Sequence, residues 1–530
     1  MTNSAQLQRE IHDLSFDFDR KYYLERYKDV AAAGIDPIWH YCVSGWQEGR
    51  NPSVDFDTLY YLRSNADIAD AGINPFWHFV IAGRKEGRNP KPFMAALRHQ
   101  LGVAWSNAAY RGPADIRLGA PTFINESKLL LSLRGRSRKL VVAFSHDDYI
   151  ISTGGVQNII GDECEEFRRQ GMDYLHLCPA RPKLTLADKG PVDEFLFAAR
   201  LNGEALGRIN GAALGKLVVG LRDAKLPVRW IIHHLMGHSP ELIGHLIMNW
   251  RGDTPLFWSH DYFAGCSGYT LLRNAIEYCG SPEPTSSACR VCVHGGERAA
   301  HRERIAELVR MISPLIISPS QLALEIWRKA TNLSELPAQI VSPATLVFGG
   351  PKSISPQSSI CRIAYIGNPV FHKGWATFEN LALTLKDDER YRFFQIGSSG
   401  SVPHSITHVE ARVTPQDRAA MVAAIVANEI DIVVSWSLWP ETFCFTAHEA
   451  IAAGTFLVYR RNQGHVDVAA SQYAAKASHA VENETDLLSY FRSGRALVDA
   501  SHASPSIAAM IPSVGSAEVQ SDAIDMECVL

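Results

Sequence analysis

Beyond residue 139 the chain alternates short apolar runs with longer stretches whose apolar positions recur every three or four residues. The runs 139–145, 174–178, 228–233, 255–259 and 315–318 make a first series. A second series follows at 362–367, 392–396, 431–435 and 455–459. Continuous apolar runs of this length, separated by helical periodicity, predict parallel strands buried on both faces. Between the series, 343–357 holds several Pro, Gly and Ser residues and reads as a linker. Two such α/β domains in tandem leave a cleft onto which the carboxyl ends of the strands open.

The first ninety residues follow a different pattern. Segments 16–52 and 54–90 match at 20 of 37 positions, which marks an internal repeat. Among the matched pairs are Tyr23/Tyr61, Gly34/Gly72, Pro37/Pro75, Trp39/Trp77 and His40/His78. Each copy reads as a helical hairpin, with one helix ending at Gly34 or Gly72 and the next starting at Pro37 or Pro75. The repeated Trp and Tyr suit a small core, and the His a cap or hydrogen bond. Two copies fall short of the roughly three a solenoid needs, so they are expected to dock on a partner or on the rest of the chain. The expected organisation is a helical repeat domain at 1–91, a connector at 92–138, α/β domains at 139–346 and 361–487 joined by a linker at 347–360, and a closing helix with a flexible tail at 488–530.

Length and composition agree with this picture. A chain of 530 residues suggests about three domains. Its net charge of −4 gives no reason to expect nucleic acid as a partner. The first fifteen residues are polar and lack the apolar core of a signal peptide. No apolar run approaches the ~18 residues that span a bilayer. Ten cysteines are too sparse for a disulfide scaffold. The expected location is the cytoplasm, with contact to the inner membrane face left open.

Candidate chemistry gathers where strands end. The segment Ser437 to Gly454 reads SLWPETFCFTAHEAIAAG, with Glu441 in a loop after a strand and Glu449 inside a helix. Both carboxylates can face one ligand lying across the helix N-terminus, where free N–H groups and the helix dipole favour phosphate. Lys373, beside Gly374 at a helix start, can neutralise a diphosphate. Strand 362–367 ends at Gly367, and 393–400 ends in a Gly/Ser loop. In the first half, Gly154–Gly155 opens a helix after a strand, and Ser259-His260-Asp261-Tyr262 follows another. His233, His234 and His238 cluster upstream. Cys266, Cys279, Cys289 and Cys292 are separated by 12, 9 and 2 residues. The closing C-x-x-C is a metal-knuckle spacing, so a structural zinc stands beside packed, reduced thiols as a reading of this cluster.

The order GNP, KGW, FQIG, PETF and HEAIAAG across about 360–485 resembles the nucleotide-sugar domain of retaining glycosyltransferases of family 4, which have the GT-B fold. The repeats resemble short units found beside bacterial polysaccharide-related transferases. The resemblance implies two Rossmann-like doubly wound domains facing a cleft. It implies a UDP- or GDP-linked sugar as donor and a glycan or lipid-linked acceptor. Glu449 would bind the ribose and Glu441 the transferred sugar. The N–H groups of Phe443 and Cys444 would hold sugar and phosphate, and Lys373 the diphosphate. Gly367 and Gly155 would line the donor, with His260 at the sugar and diphosphate. No cofactor is implied for catalysis. One departure stands out, because the family's usual arginine after Gly367 is Asn368 here. His372, Arg460 and Arg461 are the candidates to replace that cation. The competing reading is a degenerate scaffold that binds nucleotide-sugar or glycan and recruits partners through the repeats. A third is a phosphorylase or epimerase on the same fold.

Overall fold

The computed structural model describes residues 4–53, 55–86, 88–90, 123–134, 139–152, 154–351, 360–398, 402–414 and 417–519. The chain divides into two compact units, one of residues 1–105 with 283–295, the other of 106–282 with 296–530. Most of the 92–138 connector lies outside the described residues, but Glu126–Arg134 is a helix.

In the first unit the two sequence copies form the same elements. Helices Arg20–Arg26 and Lys28–Ala33 correspond to Thr58–Ser64 and Ala66–Ala71, so the first arm of each expected hairpin is two short helices. Gly34 and Gly72 end them in the left-handed region, at φ of 64° and 62°. Asp36 and Asn74 then cap Pro37–His40 and Pro75–His78, which run on as π-helical turns to Gly45 and Gly83. The Tyr23 hydroxyl meets His40 Nδ1 at 3.0 Å, and Tyr61 meets His78 the same way. The repeated histidines are thus hydrogen-bonded at the edge of an aromatic core built from Phe18, Tyr41, Phe56 and Phe76.

The second unit contains two large sheets. The strands of the first are β1 (Leu140–Phe144), β2 (Asp173–Pro179), β3 (Leu196–Leu201), β4 (Glu204–Asn210), β5 (Val228–Ile232) and β6 (Leu256–Trp258). After the small hairpin β7 (Leu272–Arg273) and β8 (Glu277–Tyr278) come β9 (Leu315–Ser318) and β10 (Ala338–Ile340). Their order is β10-β9-β6-β5-β1-β2-β3-β4. Alternate residues of β1 enter different cores, Val142 and Phe144 on one face, Val141 and Ala143 on the other. That is the signature of a sheet covered by helices on both sides. The sheet is not wholly parallel as expected, because β3 runs antiparallel to both β2 and β4. Asn202 and Gly203, both at positive φ, make the tight turn between β3 and β4.

The second sheet uses β12 (Cys361–Ile366), β13 (Tyr391–Gly397), β14 (Ile406–Glu410), β15 (Ile432–Ser435), β16 (Phe456–Arg460) and β17 (Ser478–Val481). It is parallel throughout, in the order β14-β13-β12-β15-β16-β17. Two doubly wound sheets whose strand ends open on one cleft make the GT-B arrangement.

The segment between the sheets is not all linker. Residues 344–351 form β11 (Ala344–Pro351), which pairs antiparallel with β18 (Ser506–Pro512) from the C-terminal region. Residues 352–359 lie outside the described residues. The expected closing helix is two helices, Glu484–Arg492 and Arg495–His502. Past them the chain is tied down rather than loose as far as residue 519. Arg229 donates to the Val519 carbonyl at 2.9 Å, and the Trp258 indole N–H to Ser516 Oγ at 2.8 Å. Residues 520–530 lie outside the described residues.

Candidate functional site

A cavity of about 620 Å³ opens between the carboxyl ends of the two sheets. From the first sheet, His146 and Asp147 follow β1, His234 follows β5, and His260 and Asp261 follow β6. From the second, Gly367 and Asn368 follow β12, and Ser437, Trp439 and Glu441 follow β15. All of them line the cavity. Loops beyond strand ends are where such sheets place their ligands.

Lys373 and Glu441 meet here. The lysine Nζ lies 2.7 Å from both carboxylate oxygens and 5.2 Å from the Trp439 ring centre. Glu441 is 2% exposed. Its backbone is fixed from both sides, because Glu441 N–H donates to Gln463 and His465 N–H donates to Glu441, each at 2.9 Å. The resemblance implies separate tasks for the two side chains, whereas the fold makes them one charge pair. Lys373 owes its place to Gly374, which turns the chain at φ 80° directly against the Trp436 carbonyl. A Cβ there would overlap that oxygen. Gly374→Ala is expected to lower the unfolding free energy by about 3 kcal/mol. A urea titration matching wild type would refute this.

Glu449 differs from Glu441 in every respect but depth. It sits inside the helix Phe445–Ala452, 4% exposed, and among the described residues no cation is paired with its carboxylate. Burial pushes its carboxyl up to about 7. It borders a second cavity of about 160 Å³ that also touches Gly155, Gly367, Asn368 and Thr446. The helix begins at Cys444, which makes no side-chain cap, so its first N–H groups remain available. Phe443 is stacked on His448 at 4.4 Å, and Cys444 Sγ lies 3.2 Å from Thr446 Oγ1. Both side chains are buried, and both residues line the larger cavity. Gly155 and Gly367 are sites of close approach. A Cβ on Gly155 would lie 2.9 Å from the Phe445 ring, and one on Gly367, at φ 98°, 3.2 Å from the Thr446 methyl.

His260 is buried and stacked face to face on Trp258, with ring centres 4.6 Å apart. Burial, with the neighbouring His233, His234 and His146 adding to it, holds the imidazole far below its usual range, so the ring is neutral. It can offer the cleft a hydrogen bond but no cation, which narrows the expectation that it meets both sugar and diphosphate. Its Nε2 lies 3.0 Å from His233 Nδ1, and His233 Nε2 lies 3.1 Å from Glu163. His234 holds Asp261 at 2.9 Å, and His238 reaches the Ser145 carbonyl at 2.7 Å. Glu163 escaped the sequence reading because two of its partners, His233 and Ser516, lie 70 and 353 residues away along the chain.

Hydrogen bonds from the first sheet's domain hold the P-E-T-F segment. Thr442 Oγ1 donates to the His260 carbonyl at 2.6 Å, the Tyr262 hydroxyl to the Pro440 carbonyl at 2.8 Å, and Ser320 Oγ to the Thr442 carbonyl at 2.8 Å. Arg418 reaches back to the Asn158 carbonyl and to Asp162, at 2.9 and 2.5 Å. Ser320 and Arg418 were not singled out in the sequence, since each acts on a segment remote along the chain.

Asn368, which stands where a cation was expected, is bonded through its side chain to Ser398. Of its three candidate replacements only His372 lines the cleft. Arg461 pairs with Glu482 at the surface, and Arg460 does not border either cavity. Arg412 and Arg418 border the smaller cavity instead.

Cys266 packs in the core of the first sheet, while 289 and 292 fall in the segment grouped with the repeat unit. Among the described residues no three His, Cys, Asp or Glu side chains are grouped so as to hold a metal ion. Among the described residues no helix is long and apolar enough to cross a membrane.

No family model matches the chain, and no curated protein matches it. Solved structures do. Sucrose-phosphate synthase from Thermosynechococcus elongatus is 14% identical over 69% of this chain and 91% of its own, with a TM-score of 0.43. HepE of Anabaena, solved in complex with UDP-glucose, is 11% identical over 68% and 91%, with a TM-score of 0.39. The pneumococcal O-GlcNAc transferase GtfA, solved with UDP and GlcNAc, is 8% identical over 69% and 94%, with a TM-score of 0.38.

Proposed function

We propose that the protein transfers a sugar from a UDP- or GDP-linked donor to a hydroxyl of a glycan or lipid-linked acceptor, with retention at the anomeric carbon. One observation carries this reading. Two buried glutamates lie on either side of one helix start, Glu441 on the larger cavity and paired with a lysine, Glu449 on the smaller cavity and, among the described residues, without a cation paired to it. A lone buried carboxylate suits neutral hydroxyl donors such as those of a ribose. Free N–H groups at the helix start and the Lys373 charge suit a diphosphate.

In this reading Glu441 orients the transferred sugar and the N–H groups of Phe443 and Cys444 hold sugar and phosphate. The bond from the anomeric carbon to the diphosphate breaks, and the acceptor oxygen bonds to that carbon on the same face. The acceptor proton passes to the departing phosphate oxygen. Lys373 and the oriented N–H groups stabilise the charge that develops there, without need of a metal. Cell-surface polysaccharide assembly at the inner membrane face is the process we associate with this chemistry, by analogy of fold and repeats.

A second reading has its own support. Lys373 is held by Glu441, and Asn368 supplies no charge, so the phosphate clamp is thin. A scaffold that binds nucleotide-sugar and recruits partners through the repeats fits that arrangement. Incubation with a panel of UDP- and GDP-sugars, reading nucleotide release, separates the two. Turnover with at least one donor, abolished in Glu441→Gln, is the expected result. Binding without release from any donor would favour the scaffold.

A further inference from the structure

The two walls of the larger cavity differ in charge. On the second sheet's side stands Lys373, the single Lys or Arg among the described residues that border the cavity. It is already paired with Glu441 at 2.7 Å. The first sheet's side brings two acids, Asp147 after β1 and Asp261 after β6, and no Lys or Arg among the described residues. Burial pushes the His146 imidazole beside them down to about 4, so that ring adds no positive charge at neutral pH. Lys183, next in the chain to the lining residue Leu184, pairs with Asp188 at 2.7 Å and does not border the cavity.

Both acids are held by donors and keep room for more. Gln157 Nε2 donates to Asp147 Oδ1 at 2.7 Å, while Oδ2 receives no hydrogen bond among the described residues. Asp261 takes the Phe263 N–H on Oδ1 and His234 Nε2 on Oδ2, each at 2.9 Å. A backbone N–H can only donate, so the Met236 N–H finds a lone pair on His234 Nδ1 and the ring hydrogen lies on Nε2, toward Asp261. Two carboxylate oxygens offer about four lone-pair sites, so each acid can still accept.

A third group asks for the opposite partner. Trp439 borders the same cavity and is 5% exposed, and its indole N–H is buried with no hydrogen-bond partner among the described residues. Tyr262 and Tyr269 hold its ring edge-on, with centres 5.8 and 6.4 Å away. An indole N–H only donates, and a carboxylate only accepts. A phosphate or carboxylate group would satisfy the indole and be repelled by both aspartates. An ammonium group would satisfy the aspartates and leave the indole bare. A neutral group that both donates and accepts, as a hydroxyl does, serves all three.

Resting on the transferase reading above, we propose that Asp147, Asp261 and Trp439 form the subsite for the sugar unit that receives the transferred residue, and that this unit is uncharged and bound through its hydroxyls. The site disfavours a phosphate or a uronate beside the accepting hydroxyl.

Matched pairs of methyl glycosides and their uronates, in the gluco, galacto and manno series, test the charge with the wild-type protein alone. NMR titration of the full-length protein, with and without UDP or GDP, reads binding. Nucleotide release from UDP- and GDP-sugars above the rate in water alone reads use of each compound in transfer. At least one neutral glycoside is expected to bind in the millimolar range, and its uronate at least tenfold more weakly. Asp147→Asn should weaken the neutral glycoside about tenfold, narrow the gap to its uronate, and leave UDP and GDP within about twofold. Exclusion of the uronate by shape would leave that gap where it was. Trp439→Phe keeps a ring and drops the N–H, and should weaken the neutral glycoside about fivefold. A uronate bound as tightly as its neutral partner would overturn the subsite. So would a gap unchanged by Asp147→Asn, a Trp439→Phe variant that binds as well as wild type, or no neutral glycoside bound or glycosylated. The expected preference for neutral glycosides, with no sugar nucleotide bound or turned over, would overturn the transferase reading and sustain the subsite.

Discussion

Lys373→Ala is expected to cut sugar-nucleotide turnover by about 10²–10³-fold, the usual effect of removing one preorganised partner of developing charge. The same change should also weaken the fold. It strips the counter-charge from Glu441, which is 2% exposed and cannot reach water. A buried carboxylate left alone is costly, although Lys373 is itself 40% exposed and solvent already screens part of the pair. A loss of about 1–3 kcal/mol is the expected range. The two effects can be separated. Adding Glu441→Gln to Lys373→Ala removes the stranded charge, so urea stability should return toward wild type while turnover stays lost. Turnover of Lys373→Ala within tenfold of wild type would remove the lysine from the chemistry. Stability unchanged in the single variant would mean that water reaches Glu441 after all.

Glu449 carries the second large effect, and its sign is opposite. Its carboxyl is pushed from an ordinary value of 4.5 up to about 7 by burial. The folded protein therefore holds this proton more tightly than the unfolded chain. Below about pH 4.5 both states are protonated and there is no penalty. As pH rises through the folded value, the cost grows to on the order of 3 kcal/mol and then levels off. Glu449→Gln escapes that cost, so the empty variant should be more stable than wild type at pH 8 and equal to it near pH 4.5. Binding should show the reverse. Ribose hydroxyls donate best to an ionised carboxylate, so the affinity of wild type for UDP or GDP should rise as pH passes about 7. Glu449→Gln should bind more weakly at pH 8 and show a flatter profile. Denaturation curves and titrations at four pH values check both halves. A wild-type affinity independent of pH would place the ribose elsewhere.

The parts of this molecule that were legible in sequence are those whose causes are local. The strands that line the cleft are continuous apolar runs, and their ends agree with the coordinates to within about a residue, as at 315–318. The glutamate pair was legible because loop, cap and helix start fall within a dozen residues. What escaped depends on partners far along the chain. Strand β3 is interrupted by Arg200, whose charge is buried against Asp148 at 2.7 Å, a pairing 52 residues distant. Without that partner the arginine reads as a break. Strand β18 is an Ala/Ser-rich edge with half its residues turned outward, and only its pairing with β11 makes it a strand. Lys373 and Glu441 were each found, but not their union across 68 residues.

The bond from Ser516 to Glu163 has a consequence for how the chain is made. Ribosomes deliver a protein from its N-terminus, and domains generally fold as they emerge. Here the first sheet can assemble early, yet the donor that completes the support beneath its cleft histidine is 353 residues downstream of the acid it serves. A nascent chain stalled or clipped before residue 516 would carry both sheets and both glutamates, while Glu163 lacked one of its hydrogen bonds. Ser516 thus reaches Glu163 only after the strands of both sheets have been made.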